Sequence, residues 1–366
     1  MSVEQKNATI RRRMAPQEKE EENLKKSGSS QQPRVPDATK PPDIIRKNIE
    51  LYQGQLAFTT GYFSILAIAS QIESLRPFAA PFYSIQHRIG DGSTAREGSL
   101  DVSFVLSALA GQIGMRAIFL YLFTKIAPRC GIHKPKAIIR FAEQSWCLVY
   151  YFASFAVGMS LFHNSSFGYN LELMWKDYPH IELDVNVKRF YLVVLAYWIS
   201  QLYVLHVEER RKDHYQMLTH HIITCALIIG SYMSYYTRIG VVVMIIMDFV
   251  DFTLSLAKVF RYLGFETLCN LTFLAFLVSW VVCRHGIYLY QLWYAFYVAT
   301  DLIKNNCKSD SFGRKFCFDQ SSHNLFGVLM IMLQLISVMW LVMIIRVLVN
   351  MLRGGSAEDS RSDDED

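Results

Sequence analysis

Eight stretches of mainly apolar residues follow a polar start of the chain. They lie at residues 56–75, 102–123, 145–162, 190–206, 218–235, 239–257, 268–290 and 325–349. A helix needs about 20 apolar residues to cross a bilayer, so each stretch predicts a transmembrane helix. Gln71 and Glu73 interrupt the first stretch, and two others are short. The pattern predicts an all-α polytopic membrane protein with about eight transmembrane helices.

Both ends of the chain are polar. Residues 1–55 are rich in charged residues, and no cleavable signal peptide is evident there. Their composition is typical of a disordered tail. Residues 350–366 form an acidic second tail. We therefore predict a tail at 1–55, an additional helix at 56–75, a membrane domain at 102–349 and a tail at 350–366.

Composition and charge place the chain in a membrane with a defined orientation. Hydrophobic residues make up 52% of it, which is too many for an ordinary soluble domain. Eight spans put both ends on one side, where the tails and loops hold 24 Lys and Arg residues against 11 on the other side. Cytosolic segments of membrane proteins are enriched in these residues, although most of this excess comes from the long first tail. The distribution predicts that both termini are cytosolic.

Four ionisable residues lie inside two neighbouring spans. By helical rise, His220 and His221 lie about 12 to 14 Å inward from Lys212. Asp248 and Asp251 share one face of the next, antiparallel span at a matching depth. A charged side chain near the bilayer centre costs about 3 kcal/mol, so four such groups predict a protein-lined interior. An imidazole held by a carboxylate suits proton abstraction or nucleophilic attack at neutral pH.

Metal binding is an alternative use of the same four residues. Membrane di-iron enzymes need several histidine boxes. Among the ten histidines here only one such cluster occurs, in HYQMLTHH. A lone zinc on two histidines and two aspartates stays open, although adjacent histidines on a helix diverge by about 100°. The seven cysteines show no CxxC pair. We therefore predict no metal site.

The stretch at residues 210–264 resembles the Lag motif of ceramide synthases, within the wider TLC-domain family. It reads RRKDHYQMLTHHIITCALIIGSYMSYYTRIGVVVMIIMDFVDFTLSLAKVFRYLG. Residues 143–151, 162–180 and 283–290 resemble flanking blocks of the same family. The similarity covers about residues 102–349, and the plan of the chain resembles the fungal members most.

This resemblance implies transfer of a fatty acyl group from acyl-CoA to the amine of a sphingoid base, which gives a ceramide and CoA. It implies a barrel of six helices, the second to seventh spans, in the endoplasmic reticulum membrane. Acyl-CoA is then a co-substrate, and no cofactor is bound. The implied partners are the two substrates, membrane lipids, a small single-pass subunit and a homo- or heterodimer, with no nucleic acid.

Within this resemblance we expect His220 to attack the thioester and form an acyl-imidazole, or to act as a base. His221 assists proton transfer, while Asp248 and Asp251 orient the imidazoles. Basic residues at the cytosolic rim suit the CoA phosphates, and equally an ordinary positive-inside border. These residues are Arg210, Arg211, Lys212, Lys258 and Arg261.

Arg116 is a further basic residue, about 13 Å inward from Lys125 by helical rise. It is expected to neutralise an active-site carboxylate or to hold the pantetheine arm of the donor, the alternative being that it snorkels to the headgroups.

Two peripheral features complete the predictions. Cys307 and Cys317 lie before the last span, on the expected lumenal side, where a disulfide persists. In the C-terminal tail three serines each precede an acidic residue by three positions, a pattern that predicts phosphorylation, as in the tails of this family. They are Ser356, Ser360 and Ser362. Two rival functions stay open: a non-catalytic TLC-type lipid sensor or scaffold, and a proton-coupled transporter that uses the buried carboxylates.

Overall fold

The computed structural model describes residues 42–208, 210, 212–309 and 313–353. The long helices are α1 (Asp43–Gln71), α3 (Asp101–Ile126), α4 (Pro135–His163), α6 (Val185–Val207), α7 (His214–Met233), α8 (Thr237–Tyr262), α9 (Glu266–Ser279) and α12 (Gln320–Leu352). The short helices are α2 (Arg76–Tyr83), α5 (Leu171–Trp175), α10 (Tyr288–Tyr294) and α11 (Thr300–Ile303). A 3-10 turn, Ala127–Cys130, follows α3, while π-helical turns at Trp280–Ile287 and Ala295–Ala299 join α9, α10 and α11.

Six helices in the described ranges are long and apolar enough to cross a membrane. They are Asp101–Cys130, Pro135–His163, Val185–Val207, Thr237–Tyr262, Glu266–Ile303 and Gln320–Leu352. This confirms a helical, multi-pass protein. The other two predicted spans lie in α1 and α7, which are helical but are not among these six. The predicted count of eight is therefore not confirmed.

Helix α1 begins at Asp43, twelve residues before the end of the predicted polar tail at residue 55. Polar residues of its first turns share one exposed face, where Arg46 and Glu50 form an i, i+4 ion pair of 3.7 Å. Ile45 and Tyr52 are buried on the other face. Ile45 packs against Ala127 and Ile138, next to the neighbouring helices. An amphipathic face thus extends the helix outward from its apolar part.

The long helices contact one another in a closed order. Helix α3 packs on α4 and α6, and α4 packs on α8. Helix α8 contacts α9, the π turn after α9 contacts α12, and α12 packs on α7, which contacts α6. Gly158 lets α4 and α8 approach closely, because a Cβ there would lie 2.8 Å from Ile245. The predicted barrel of six helices, the second to seventh spans, did not include α12. That arrangement is not confirmed.

The two ends of this helical bundle differ in structure. At one end, which we call the hairpin end, β1 (Arg88–Ile89), β2 (Thr94–Ala95) and β3 (Leu183–Asp184) form a small antiparallel sheet. There β4 (Cys307–Ser309) pairs with β5 (Lys315–Cys317) in a hairpin. The other end, which we call the basic end, contains the start of α4, the loop between α6 and α7, and the end of α8. Lys136, Lys212 and Arg261 lie there.

A fully paired ionic cluster stabilises the hairpin end. Lys188 of α6 is completely buried, and its ammonium lies 2.7 Å from a carboxylate oxygen of Asp101 at the start of α3. The hydroxyl of Tyr232 donates to the same carboxylate at 2.7 Å, and Lys188 also donates to the Gln86 carbonyl at 3.1 Å. Because burial of an unpaired charge costs several kcal/mol, this mutual pairing ties α3, α6 and α7 together.

Candidate active site

The two histidines of α7 face the interior together with two tryptophans. His220 and His221 are both buried, and their ring centroids lie 5.5 Å apart. The Trp198 ring of α6 lies 5.4 Å from each imidazole, and the Trp340 ring of α12 lies 5.1 Å from that of His220. Neither imidazole Nδ1 has a hydrogen-bond partner among the described residues. The aromatic rings therefore fix the imidazoles by packing and leave polar atoms available.

The two aspartates of α8 have other partners than the sequence predicts. The Ser154 hydroxyl of α4 donates to Asp248 at 2.6 Å, and the Arg284 guanidinium donates to Asp251 at 2.7 Å. Neither imidazole Nδ1 donates a hydrogen bond to Asp248 or Asp251. Neighbouring helices supply donors that depth along the chain does not reveal. Asp248 and Asp251 thus lie at the same site as the histidines, but they are held by α4 and by the π turn.

Arg284 occupies the π-helical turn that follows α9. Its guanidinium lies 4.2 Å from the centroid of the Trp280 ring. The Trp280 indole donates to His285 at 3.2 Å, and the Gln334 amide of α12 lies 2.7 Å from the other ring nitrogen of His285. Short π-helical segments are frequent at functional sites. This one fixes an arginine beside Asp251.

Two cavities meet at these residues. The inner cavity is lined mainly by apolar residues of α7, α8 and α12, including Leu227, Met244 and Met330. The outer cavity is larger, extends along α8, α9 and α12 and includes Lys258 and Arg261 in its lining. The residues that line both cavities are Trp198, His220, Asp251 and Arg284. His220 therefore stands where a mainly apolar chamber joins a larger, partly basic one.

The far end of the inner cavity has a close-packed polar contact. The Tyr191 and Ser231 hydroxyls lie 3.0 Å apart. A Cβ at Gly240 would lie 1.6 Å from the Tyr191 hydroxyl, so only glycine fits there. By helical rise, the eleven residues from His220 to Ser231 span about 16 Å. The lining of the inner cavity therefore extends about 16 Å along α7 from His220.

The predicted basic residues separate into two groups. Lys258 and Arg261 line the outer cavity. Arg210 and Lys212 are exposed in the loop between α6 and α7 and are not among its lining residues, while Arg211 lies outside the described residues. Of the predicted basic residues that the structure describes, Lys258 and Arg261 at the end of α8 therefore face the cavity that holds the histidines.

Arg116 does not join the site. Its guanidinium forms an ion pair with Glu208, and the side chain is buried. Both residues line a third cavity, together with Tyr52 and Glu143. The predicted contact with Asp248 or Asp251 is not observed, because Glu208 after α6 pairs with Arg116 instead.

The remaining predictions fall outside this site. In the described part of the chain, no group of three or more His, Cys, Asp or Glu side chains has the geometry to hold a metal ion. Cys307 and Cys317 are joined by a disulfide that closes the β4–β5 hairpin. The three serines of the acidic tail, Ser356, Ser360 and Ser362, lie outside the described residues.

Sequence comparison assigns the family. Residues 140–346 match the family described as TLC domain, which is more than half of the chain and includes every residue of the site. The chain belongs to the TLC-domain family. It is 36% identical to a sphingosine N-acyltransferase of Schizosaccharomyces pombe, over 80% of this chain and 74% of that protein. It is 29% identical to a ceramide synthase of Saccharomyces cerevisiae, over 77% and 69% of the two chains.

A mammalian protein is also similar to this TLC-domain chain. Ceramide synthase 4 of Mus musculus is 32% identical over 64% of this chain and 56% of the mouse protein. The similarity therefore extends from fungi to animals.

Sequence reasoning missed several residues of this TLC-domain site. Arg284 lies in an apolar stretch, and the depth argument applied to the histidines would have singled it out if the length of α9 and its π turns had been known. Ser154, Trp198 and Trp340 give no comparable signal, because a serine or a tryptophan in an apolar helix is ordinary. Their positions follow from packing between helices distant in sequence.

Proposed function

We propose that this protein is a ceramide synthase, which transfers a fatty acyl group from acyl-CoA to the amine of a sphingoid base. The products are a dihydro- or phytoceramide and CoA. The observation that supports this best is His220 at the junction of an apolar and a partly basic cavity. The names of the similar fungal and mouse proteins agree with this reaction.

The two cavities match the two parts of the acyl donor. CoA is anionic, and Lys258 and Arg261 at the outer cavity are suited to its phosphates through charge-assisted hydrogen bonds. The acyl chain is apolar and fits the inner cavity, whose walls are mainly apolar. The thioester then lies at the junction, beside His220.

His220 acts in one of two ways. As a nucleophile, its ring nitrogen bonds to the thioester carbon, CoA leaves as a thiolate that takes up a proton, and the sphingoid amine then displaces the imidazole. As a base, it removes a proton from the amine while the amine attacks the thioester carbon directly, the C–S bond breaks, and CoA leaves as a thiolate that takes up a proton. In both routes His221 assists proton transfer, and Asp251 acts as a positioning residue through Arg284. Asp248, held by Ser154, lines the inner cavity together with His220.

The finer predictions of topology belong to the same proposal. The helices around the two cavities form the wall of the reaction chamber in the endoplasmic reticulum membrane, with α1 and α7 as further spans and both termini in the cytosol. The basic end then faces the cytosol, where acyl-CoA is available, and the disulfide hairpin faces the lumen. A single-pass subunit or a second copy of the chain is a further proposed partner.

The test is one acyl-transfer assay. Purified protein in detergent or vesicles is incubated with labelled acyl-CoA and sphinganine, and the lipid products are separated. We expect labelled ceramide, with CoA released in equal amount. Binding of sphinganine without product would favour a lipid sensor, and proton uptake into vesicles without product would favour a transporter.

A further inference from the structure

Arg284 is a buried arginine at the junction of the two cavities. Only 2% of the residue is exposed, and it lines both cavities with His220. Placing a guanidinium in such an interior costs several kcal/mol, which a single ion pair with Asp251 offsets only in part. Burial of a charge at such a cost indicates that the charge of Arg284 has a function at this site.

The guanidinium has more donors than its one acidic partner uses. An arginine presents five N–H groups in a fixed fork, and one NH₂ group of Arg284 donates to Asp251 at 2.7 Å. Its Nε–H has no acceptor among the described residues. Leaving a buried donor unpaired destabilises the folded protein. An acceptor that forms only during the reaction would account for this arrangement.

The guanidinium is also held in place before any substrate binds. It lies 4.2 Å from the Trp280 ring centroid, which fixes its plane. The Trp280 indole donates to His285, whose second ring nitrogen is bonded to Gln334 of α12. Donors fixed in advance stabilise a developing charge without reorganisation, which makes them effective in a site with little water.

We propose that Arg284 donates to the carbonyl oxygen of the acyl group as that oxygen becomes negatively charged. This rests on the acyl-transfer function proposed above. When a nitrogen bonds to the thioester carbon, the π electrons of the C=O bond move to oxygen. The carbonyl then re-forms as the C–S bond breaks, and CoA leaves as a thiolate that takes a proton. Because both roles of His220 pass through this oxyanion, Arg284 serves either route.

The experiment separates binding from turnover in Arg284→Met. Turnover of acyl-CoA with sphinganine gives kcat and KM, and an S-alkyl-CoA thioether, which lacks the carbonyl, gives a Kd for the donor without the reacting oxygen. We expect kcat to fall by about 100- to 1000-fold, the usual effect of losing one oxyanion donor, with an unchanged Kd for the thioether. An unchanged kcat, or a Kd that weakens as much as kcat/KM, would overturn the proposal.

Two further variants complete the design. Arg238→Met is the matched control, because Arg238 also donates one hydrogen bond, to Leu173 at 2.8 Å, and lies 5.4 Å from an aromatic ring, but it lines neither cavity. We expect it to keep wild-type kcat. Arg284→Lys retains a cation for Asp251 and decides the matter if Arg284→Met does not fold. It lacks the second, fixed donor, so its kcat should also fall; wild-type turnover in this variant would contradict the proposal.

The outcome also distinguishes this proposal from the one on which it rests. If the wild-type protein makes no ceramide, the acyl-transfer function itself is wrong. If the wild-type protein makes ceramide and both Arg284 variants make it equally fast, only the oxyanion assignment is wrong.

Discussion

Two clusters of buried polar side chains lie within this helical bundle, and they are built differently. In the cluster of Lys188, Asp101 and Tyr232, each charged group is bonded to another group of the cluster. In the cluster around His220 and His221, both Nδ1 atoms and the Arg284 Nε–H lack partners among the described residues. The first cluster is held together by its own ion pair and hydrogen bond, and so contributes to stability. The second leaves buried polar atoms beside a cavity, which favours a role in chemistry.

The largest expected difference between the two clusters is the loss of activity in His220→Ala. We expect ceramide formation to fall by at least about 1000-fold, the scale seen when a residue that attacks or transfers protons is removed. Because the buried ring packs against Trp198 and Trp340, its loss should also lower the midpoint of thermal unfolding, so rates are scaled to the folded fraction. Rates with labelled acyl-CoA and the unfolding midpoint are measured on the same preparation.

The control for that variant is His206→Ala. His206 is exposed near the end of α6, lines neither active-site cavity, and bonds to the Leu202 carbonyl of the same helix at 2.7 Å. It should keep wild-type activity. A fully active double variant, His220→Ala with His221→Ala, would remove the histidines from the reaction.

The opposite effect is expected at the paired cluster. Lys188→Met leaves the buried Asp101 carboxylate without its cation, which should lower the free energy of unfolding by about 3 to 5 kcal/mol. Turnover per folded molecule should stay at the wild-type level, because the cluster lies near the hairpin end and lines neither active-site cavity. Thermal unfolding measures the first quantity, and assays scaled to the folded fraction measure the second.

Adding Asp101→Asn sharpens this test, since it removes the unpaired charge. The double variant should recover part of the lost stability. If Lys188→Met kept its stability but lost turnover, the distinction between the clusters would fail.

A smaller effect is expected inside the apolar chamber. Phe326 lines the inner cavity from α12, and Phe326→Ala enlarges it. If the acyl chain occupies this cavity, the variant should accept longer chains relative to shorter ones. Competition between acyl-CoA species of different length, read by mass of the ceramides, measures this preference. Leu325→Ala on the exposed face of the same helix is the control, and an identical product profile in both variants would place the acyl chain elsewhere.

The smallest effect concerns pH at the hairpin end. Burial lowers the pKa of His180 to about 4, and its ring nitrogens face the carbonyls of Lys176 and Tyr235. In the unfolded chain this histidine binds a proton below about pH 6.5, while the folded chain resists protonation down to about 4. Stability should therefore fall as the pH is lowered from about 6.5 towards 4.

The measurement is the unfolding midpoint at several pH values for the wild-type protein and for His180→Gln. The variant should lose part of this pH dependence, because glutamine does not titrate. Identical pH profiles in the two proteins would rule out His180 as the source.

The sequence predicted the parts of the site that lie close together along the chain. His220, His221, Asp248 and Asp251 are on consecutive helices, so helical rise alone placed them at one depth. The long apolar runs likewise predicted most of the helices. Arg284 was not assigned, because its position depends on a π-helical turn that changes the phase of the helix, and no hydrophobic pattern reports such a turn.

Hydrogen-bond and ion-pair partners on helices distant in sequence could not be predicted from the sequence either. That Ser154 bonds to Asp248, and that Glu208 rather than an active-site carboxylate pairs with Arg116, depends on which helices are neighbours. The start of α1 was missed for a related reason. Its first turns are polar on one face and buried on the other, so average hydrophobicity hides the helix.

The shared wall of the two cavities has a consequence for the order of events in catalysis. If the acyl chain fills the inner cavity and CoA the outer one, as proposed above, the CoA group and the incoming amine compete for the outer cavity. Departure of CoA clears that space. Release of CoA before the amine binds favours a double-displacement scheme. An excess of long-chain base that enters the apolar chamber first would then inhibit the enzyme.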